Sequence, residues 1–242
     1  MGKGNTSVIE MLYRDVLSES CGICQCVINF FQRKEMRIMI KTAMLVALVG
    51  HILCGVSDCL LSYSKSGRLN MKEITNPDKM SEMFEDMPLS FPLASMLLGT
   101  AAITMFGFGY FALSDWMSVF SNTASDIMFI SSVIFLIPIV THHVFCGVVE
   151  WIYIRLGRTK AVREAVLEMQ TKTIATMVVG YLGLLTFMVT LFIMIVKGNT
   201  SLPVWGCVFN TLVVMLVLAP TKLPAKGNIA GAIMYLGLLI LI

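Results

Sequence analysis

Between Ile174 and Val196 no side chain carries a charge. At about 1.5 Å of rise per residue, a helix of that length crosses a hydrocarbon layer about 30 Å thick. Nothing else in the sequence restricts the fold so strongly. In lipid each backbone N–H and C=O must find its partner inside the segment, which leaves helices or closed barrels. Barrel strands are about ten residues long and alternate in polarity, and this run does neither. Five more apolar runs accompany it. The expected fold class is therefore an all-α membrane protein with six transmembrane helices, at about 42–63, 91–113, 127–154, 174–196, 202–219 and 225–242.

Composition agrees. Hydrophobic residues make up 57% of the chain and charged ones 14%, against about 25% charged in a soluble domain. Mean hydropathy is +0.81. The net charge of +3 lies outside the apolar runs, and no basic stripe with interleaved aromatics is present, so nucleic acid is not an expected partner. Membrane lipid is, and a multi-pass protein of the cell membrane is the expected placement. Residues 1–20 contain Lys3, Glu10, Arg14, Asp15 and Glu19 and no apolar core of a signal peptide. "MGKGNT" fits a myristoylation pattern, which a polytopic protein does not need.

Two domains are expected: an amphipathic N-terminal segment, 1–38, and the six-span domain, 39–242. Two connections read as surface helices. Residues 64–90 carry Met80, Met83 and Met87 at helical spacing; packing against lipid or protein suits that stripe better than a copper-binding Met box. Residues 155–173 place Val162, Val166 and Met169 on one face and the Glu168–Lys172 pair on the other. Lys and Arg are more numerous on the side holding these two connections, which favours it as cytoplasmic, although Arg33, Lys34 and Arg37 before the first span argue the other way.

The seven cysteines do not read as a disulfide framework, since Cys54, Cys59, Cys146 and Cys207 fall in apolar runs. Cys21, Cys24 and Cys26 form a C-x-x-C-x-C cluster without a partner histidine, and an inert, reduced set is the better reading.

One polar pattern occurs twice. "HILCGVSD" (51–58) and "HVFCGVVE" (143–150) both read His-x-x-Cys-Gly-Val-x-acid. Tyr-x-Lys/Arg-x-Gly-Arg follows each, at 63–68 and 153–158. The likeness points to an internal repeat, with convergent helix-end chemistry as the rival. On a helix the His, Cys, Gly and acid of each copy share a face. Spans one and three run in the same direction, so matched rows are expected at similar depths. Ionisable groups inside a membrane are expensive and usually functional. Asp58, Glu150, His51 and His143 are the candidates for catalytic, acid–base work. His51, Cys54, His143 and Cys146 form a Cys2His2 set that suits zinc. Gly55 and Gly147 would let the two helices approach. His142 points about 100° away from His143 and reads as packing. Tyr181, Asn210 and Thr211 would complete a polar cavity or act as interhelical glue. Trp116, Trp151, Trp205 and Tyr153 sit at span ends as interfacial anchors do.

"GVSDCLLSY" (55–63), Met87-Pro88 before the second span and His143 in the third together resemble a bacterial multi-pass membrane family of unknown function. Its members carry a Gly-Asp-x-Leu-Leu-x-Tyr type motif at the end of the first span. Asp58, Leu61, Tyr63, Met87, Pro88 and His143 fit that pattern; Ser57 stands where the family has Gly, and a longer N-terminal segment precedes it. The resemblance covers most of residues 42–242 and implies a polytopic helical fold without an activity. Three functions stay open: a metal-dependent intramembrane enzyme acting on a lipid, a proton- or cation-coupled transporter of a small molecule, and a non-catalytic assembly partner.

Overall fold

The computed structural model of the protein describes residues 37–64, 67–68 and 76–242. The Cys21/Cys24/Cys26 cluster, the Gly2 pattern and all but the end of the expected segment 1–38 lie outside the described residues. Lys41–Ile242 forms one compact unit.

The described chain is helical apart from a short hairpin. Helix α1 spans Arg37–Ser62. Strands β1 (Tyr63–Ser64) and β2 (Gly67–Arg68) pair antiparallel, Tyr63 opposite Arg68. Then follow α2 (Pro77–Phe84), α3 (Ser90–Ser118), α4 (Asn122–Arg155) and α5 (Lys160–Val196). A 3-10 helix (Val204–Phe209), α6 (Thr211–Leu218) and α7 (Lys226–Leu241) complete the chain.

Among the described residues four helices, α1, α3, α4 and α5, are long and apolar enough to cross a membrane. The second, third and fourth expected spans fall inside α3, α4 and α5, and the first overlaps α1 up to Ser62, with Tyr63 already in β1. The run 202–219 is not one helix: it breaks at Asn210, whose extended backbone ends the 3-10 turn and whose side chain caps α6 by accepting from Leu212 N–H at 3.0 Å. The last run forms a helix of 16 residues, about 24 Å long. The expected surface helix at 155–173 differs as well. From Lys160 onward it is continuous with the fourth span, because no Gly or Pro interrupts 160–173. The Glu168–Lys172 pair forms on its outer face.

Side-chain contacts order the bundle. A Cβ on Gly50 of α1 would come within 2.8 Å of the Ala102 carbonyl of α3, so these two backbones are nearly in contact. Gly183 does the same for α5 against α4, where a Cβ would lie 2.8 Å from the Ser131 carbonyl. Helix α3 also packs on α4, α5 meets the 3-10 turn and α6, and these meet α7. Helix α7 returns to α1, where Gly231 faces the ring of His51. The sequence of contacts closes into a ring.

Met80, Phe84 and Met87 are buried against Val149, Tyr153 and Ile154 of α4 and Val166 of α5. The methionine stripe is thus a packing face. Asn76 caps α2 at its start. Arg158 closes its end, donating from Nε and Nη2 to the Phe84 carbonyl at 3.0 and 2.8 Å.

The second half of the repeated pattern folds in two ways. Residues 63–68 contribute both strands of the hairpin, whereas 153–158 end α4 in a turn with Gly157 and Arg158 at positive φ. Arg158 N–H bonds back to the Tyr153 carbonyl there. Similar letters at two helix ends do not make two copies of one unit.

Candidate functional site

The ring of helices encloses a cavity of about 390 Å³. Its outer end is formed by Ser62, Arg68, Glu150, Gln170 and, at the start of α7, Ala225, Lys226 and Gly227, and its inner end by Phe106, Tyr110 and Phe135. Tyr110 centres this aromatic plug, with Phe106, Phe135, Phe187 and Tyr235 around it at centroid distances of 5.0 to 6.0 Å. Those rings come from α3, α4, α5 and α7.

All six residues expected at the site, His51, Cys54, Asp58, His143, Cys146 and Glu150, line this one cavity. Their layers do not match by name, however. The partner of Asp58 Oδ1 is His143 Nδ1, at 3.7 Å. Seven residues separate His51 from Asp58, about 10 Å along a helix. Helix α4 is therefore shifted by about two turns from the expected register, and the two histidines sit at different depths.

That stagger decides the metal question. His143 has both nitrogens engaged, His51 gives Nδ1 to Asn228, and Cys146 Sγ lies 3.5 Å from His142 Nε2. Among the described residues no three His, Cys, Asp or Glu side chains converge as a metal would need. His51, Cys54, His143 and Cys146 do not fit a zinc set.

The hydrogen bonds instead define a proton layout. Ser57 Oγ donates to the Ser95 carbonyl and Ser95 Oγ to the Ser57 carbonyl, both at 2.9 Å, which ties α1 to α3. Each hydroxyl has spent its one proton. His143 Nε2 lies 3.0 Å from Ser57 Oγ and 3.2 Å from the Ser95 carbonyl. A carbonyl only accepts, so the Ser95 contact is a hydrogen bond in the tautomer that carries its hydrogen on Nε2. Nδ1 then faces Asp58 Oδ1, and two lone pairs in that position would repel. A proton on the imidazole makes this contact an ion pair, at 3.7 Å too long for a hydrogen bond.

Asn228 fixes the other side. Its Nδ2 donates to Asp58 Oδ2 at 2.8 Å, so its Oδ1 must be the atom 3.1 Å from His51 Nδ1. His51 therefore donates through Nδ1 and leaves Nε2 as an acceptor. That atom is buried without a partner, on a ring stacked against Phe106 at 4.3 Å and 6°. Glu150 Oε2 is likewise buried and unpartnered.

Ser57, His143 and Asp58 follow the order of a nucleophile, base and orienting acid. The chemistry fails on access: Ser57 is 0% exposed, lies outside the cavity lining and has its proton on a carbonyl. Its role is to hold the imidazole. Three other partners were not expected from the sequence: Ser57, Ser95 and Asn228. The available signal was polarity inside apolar helices, clearest for Asn228 near the start of α7. His142, expected to pack, lines the cavity and reaches Thr176 Oγ1 at 3.4 Å. Tyr181 and Thr211 line it too, whereas Asn210 donates to the Met188 carbonyl and ties α5 to the C-terminal segment.

Comparison with known proteins adds the family and no activity. Neither the curated proteins nor the solved structures give a significant match. A family model described as "Family of unknown function (DUF6796)" matches residues 31–242, nearly the whole chain, and the protein belongs to that family.

Proposed function

We propose that this protein is a proton-coupled carrier, which binds a small molecule in the central cavity and links that binding to the protonation of the Asp58–His143 pair. In this reading residues 39–242 are one membrane domain, and the 3-10 turn with α6, and α7, complete it as two shorter spans, six in all. The observation that carries the reading is the Asp58–His143 pair itself. It faces a cavity and its ligands belong to four helices: α1, α3 through Ser95, α4, and α7 through Asn228. Gaining or losing a proton at this pair changes the attraction between α1 and α4, and so biases how the helices sit. A binding event that alters the proton alters the bundle, and the converse follows by linkage. The aromatic plug opposite the mouth would serve as the inner gate.

An acid–base enzyme acting on lipid uses some of the same groups, but the two hydroxyls near the His143 imidazole, Ser57 and Ser95, are both buried outside the cavity lining. The carrier reading therefore fits the geometry better. Proteoliposomes loaded with a pH-sensitive dye test it. Under an imposed pH gradient, a panel of amines, carboxylic acids and neutral alcohols is added outside. At least one class should accelerate proton movement, and Asp58→Asn, which can still accept from Asn228 Nδ2, should abolish the effect while leaving the fold intact. A wild-type flux no faster than that of Asp58→Asn across the panel would refute the proposal.

A further inference from the structure

Two unpartnered groups remain in the cavity, one near each end. Glu150 Oε2 belongs to the outer lining, and His51 Nε2 to the inner one. Both can accept: a carboxyl oxygen keeps its lone pairs whether or not the group is ionised, and the imidazole nitrogen is left free because Nδ1 donates to Asn228. The other two unpartnered buried polar atoms among the described residues, the hydroxyls of Tyr153 and Tyr235, are not on its wall. His51 is only 3% exposed. An unpaired acceptor buried at that depth is costly; this one lies against Gly231 of α7 and the Phe106 ring.

Charge narrows the occupant further. Asp58 has a counter-group in His143. Glu150 has none: no Lys, Arg or His lies within salt-bridge distance of it among the described residues. The two basic side chains of the lining are turned to backbone carbonyls of the 219–222 loop. Arg68 Nη1 donates to the Lys222 carbonyl at 3.1 Å, and Lys226 Nζ to the Ala219 carbonyl at 2.8 Å. The inner wall is aromatic, with Phe106, Tyr110 and Phe135. Ring faces attract cations and pack against apolar groups.

From these placements we infer that the cavity takes an organic cation: a protonated amine whose ammonium pairs with Glu150 and whose apolar body extends toward the aromatic wall. A free amine in solution and the ammonium headgroup of a lipid share this chemistry. The inference rests on the reading of the cavity as a ligand site and adds the class of ligand.

The purified full chain is titrated with phenethylamine, and separately with phenethyl alcohol and phenylpropionate, which match it in shape and differ in charge. Binding is read by saturation-transfer NMR and by the shift in unfolding temperature. In a second arm the chain is placed in phosphatidylcholine nanodiscs with and without phosphatidylethanolamine. The cation should bind at least tenfold more tightly than the alcohol, and the carboxylate more weakly still. Glu150→Gln should reduce cation binding about tenfold, while alcohol binding and the unfolding temperature without ligand stay unchanged. If phosphatidylethanolamine lowers the apparent affinity for the free amine, the headgroup competes for the site and is the source; if it does not, the source is a free amine. Equal binding of amine and alcohol, or an undiminished amine affinity in Glu150→Gln, overturns the cation inference and leaves the ligand cavity standing. Failure of all three compounds and of the lipid to bind overturns both.

Discussion

Gly231→Ala should destabilise the protein through one side chain, His51. A Cβ built on Gly231 would lie 2.5 Å from His51 Nε2 and 2.7 Å from Nδ1. Relaxed contacts between heavy atoms need about 3.5–4.0 Å, so the ring must retreat by about 1 Å. It has little room to do so, because Phe106 is stacked on it at 4.3 Å and 6°, and Nδ1 is held by Asn228. Overpacking of this kind costs about 1–3 kcal/mol. Loss of the Asn228 bond adds little, because interhelical hydrogen bonds in membranes average about 0.6 kcal/mol. The steric part should vanish when the ring is absent. In a double-mutant cycle, Gly231→Ala should cost about 1–3 kcal/mol in the wild type and close to zero in a His51→Ala background, a coupling within the range expected for residues in contact. Unfolding by SDS in mixed micelles, followed by circular dichroism, provides the four free energies. Equal costs of Gly231→Ala in the two backgrounds would show that the ring does not occupy this place.

Arg158→Ala should release the C-terminal end of α2, since two guanidinium nitrogens bond the Phe84 carbonyl. Hydrogen exchange should speed up across residues 80–87, and Arg158→Lys should restore only part of the protection, because a lysine has no planar fork. Phe84→Ala empties a site that is 1% exposed and set edge-on to Tyr153 at 5.5 Å. It should cost about 3–5 kcal/mol in the same SDS unfolding assay, and a cost under about 1 kcal/mol would place α2 outside the packed core.

Much of the architecture was legible because hydrocarbon leaves the backbone few choices. An uninterrupted apolar run must be a helix whatever packs against it, so the first four spans were visible from residue types alone. The C-terminal runs were less legible. Asn210 carries no strong breaker signal; its side chain caps α6 and reaches Met188 only once α5 is in place. The methionine stripe gave its helical periodicity, but not which helices would cover it.

The site divides the same way. The sequence alone determined that His51, Cys54 and Asp58 share one face of α1, and His143, Cys146 and Glu150 one face of α4, because helical geometry is local. It also determined that these groups would be sheltered from water, by the apolar character of their flanks. Only the tertiary structure decided which groups meet. The axial shift between α1 and α4 is set by side chains on α3, above all the serine exchange of Ser57 with Ser95 that seats His143. It is also set by glycines that admit close neighbours: Gly99, where a Cβ would strike the His143 ring, and Gly231, where one would strike His51. A shift of two turns leaves every residue on its face and every hydropathy value unchanged. It nevertheless sets the carboxylate of Asp58 against the imidazole of His143 instead of pairing like with like, because register between helices is a property of contacts and not of composition.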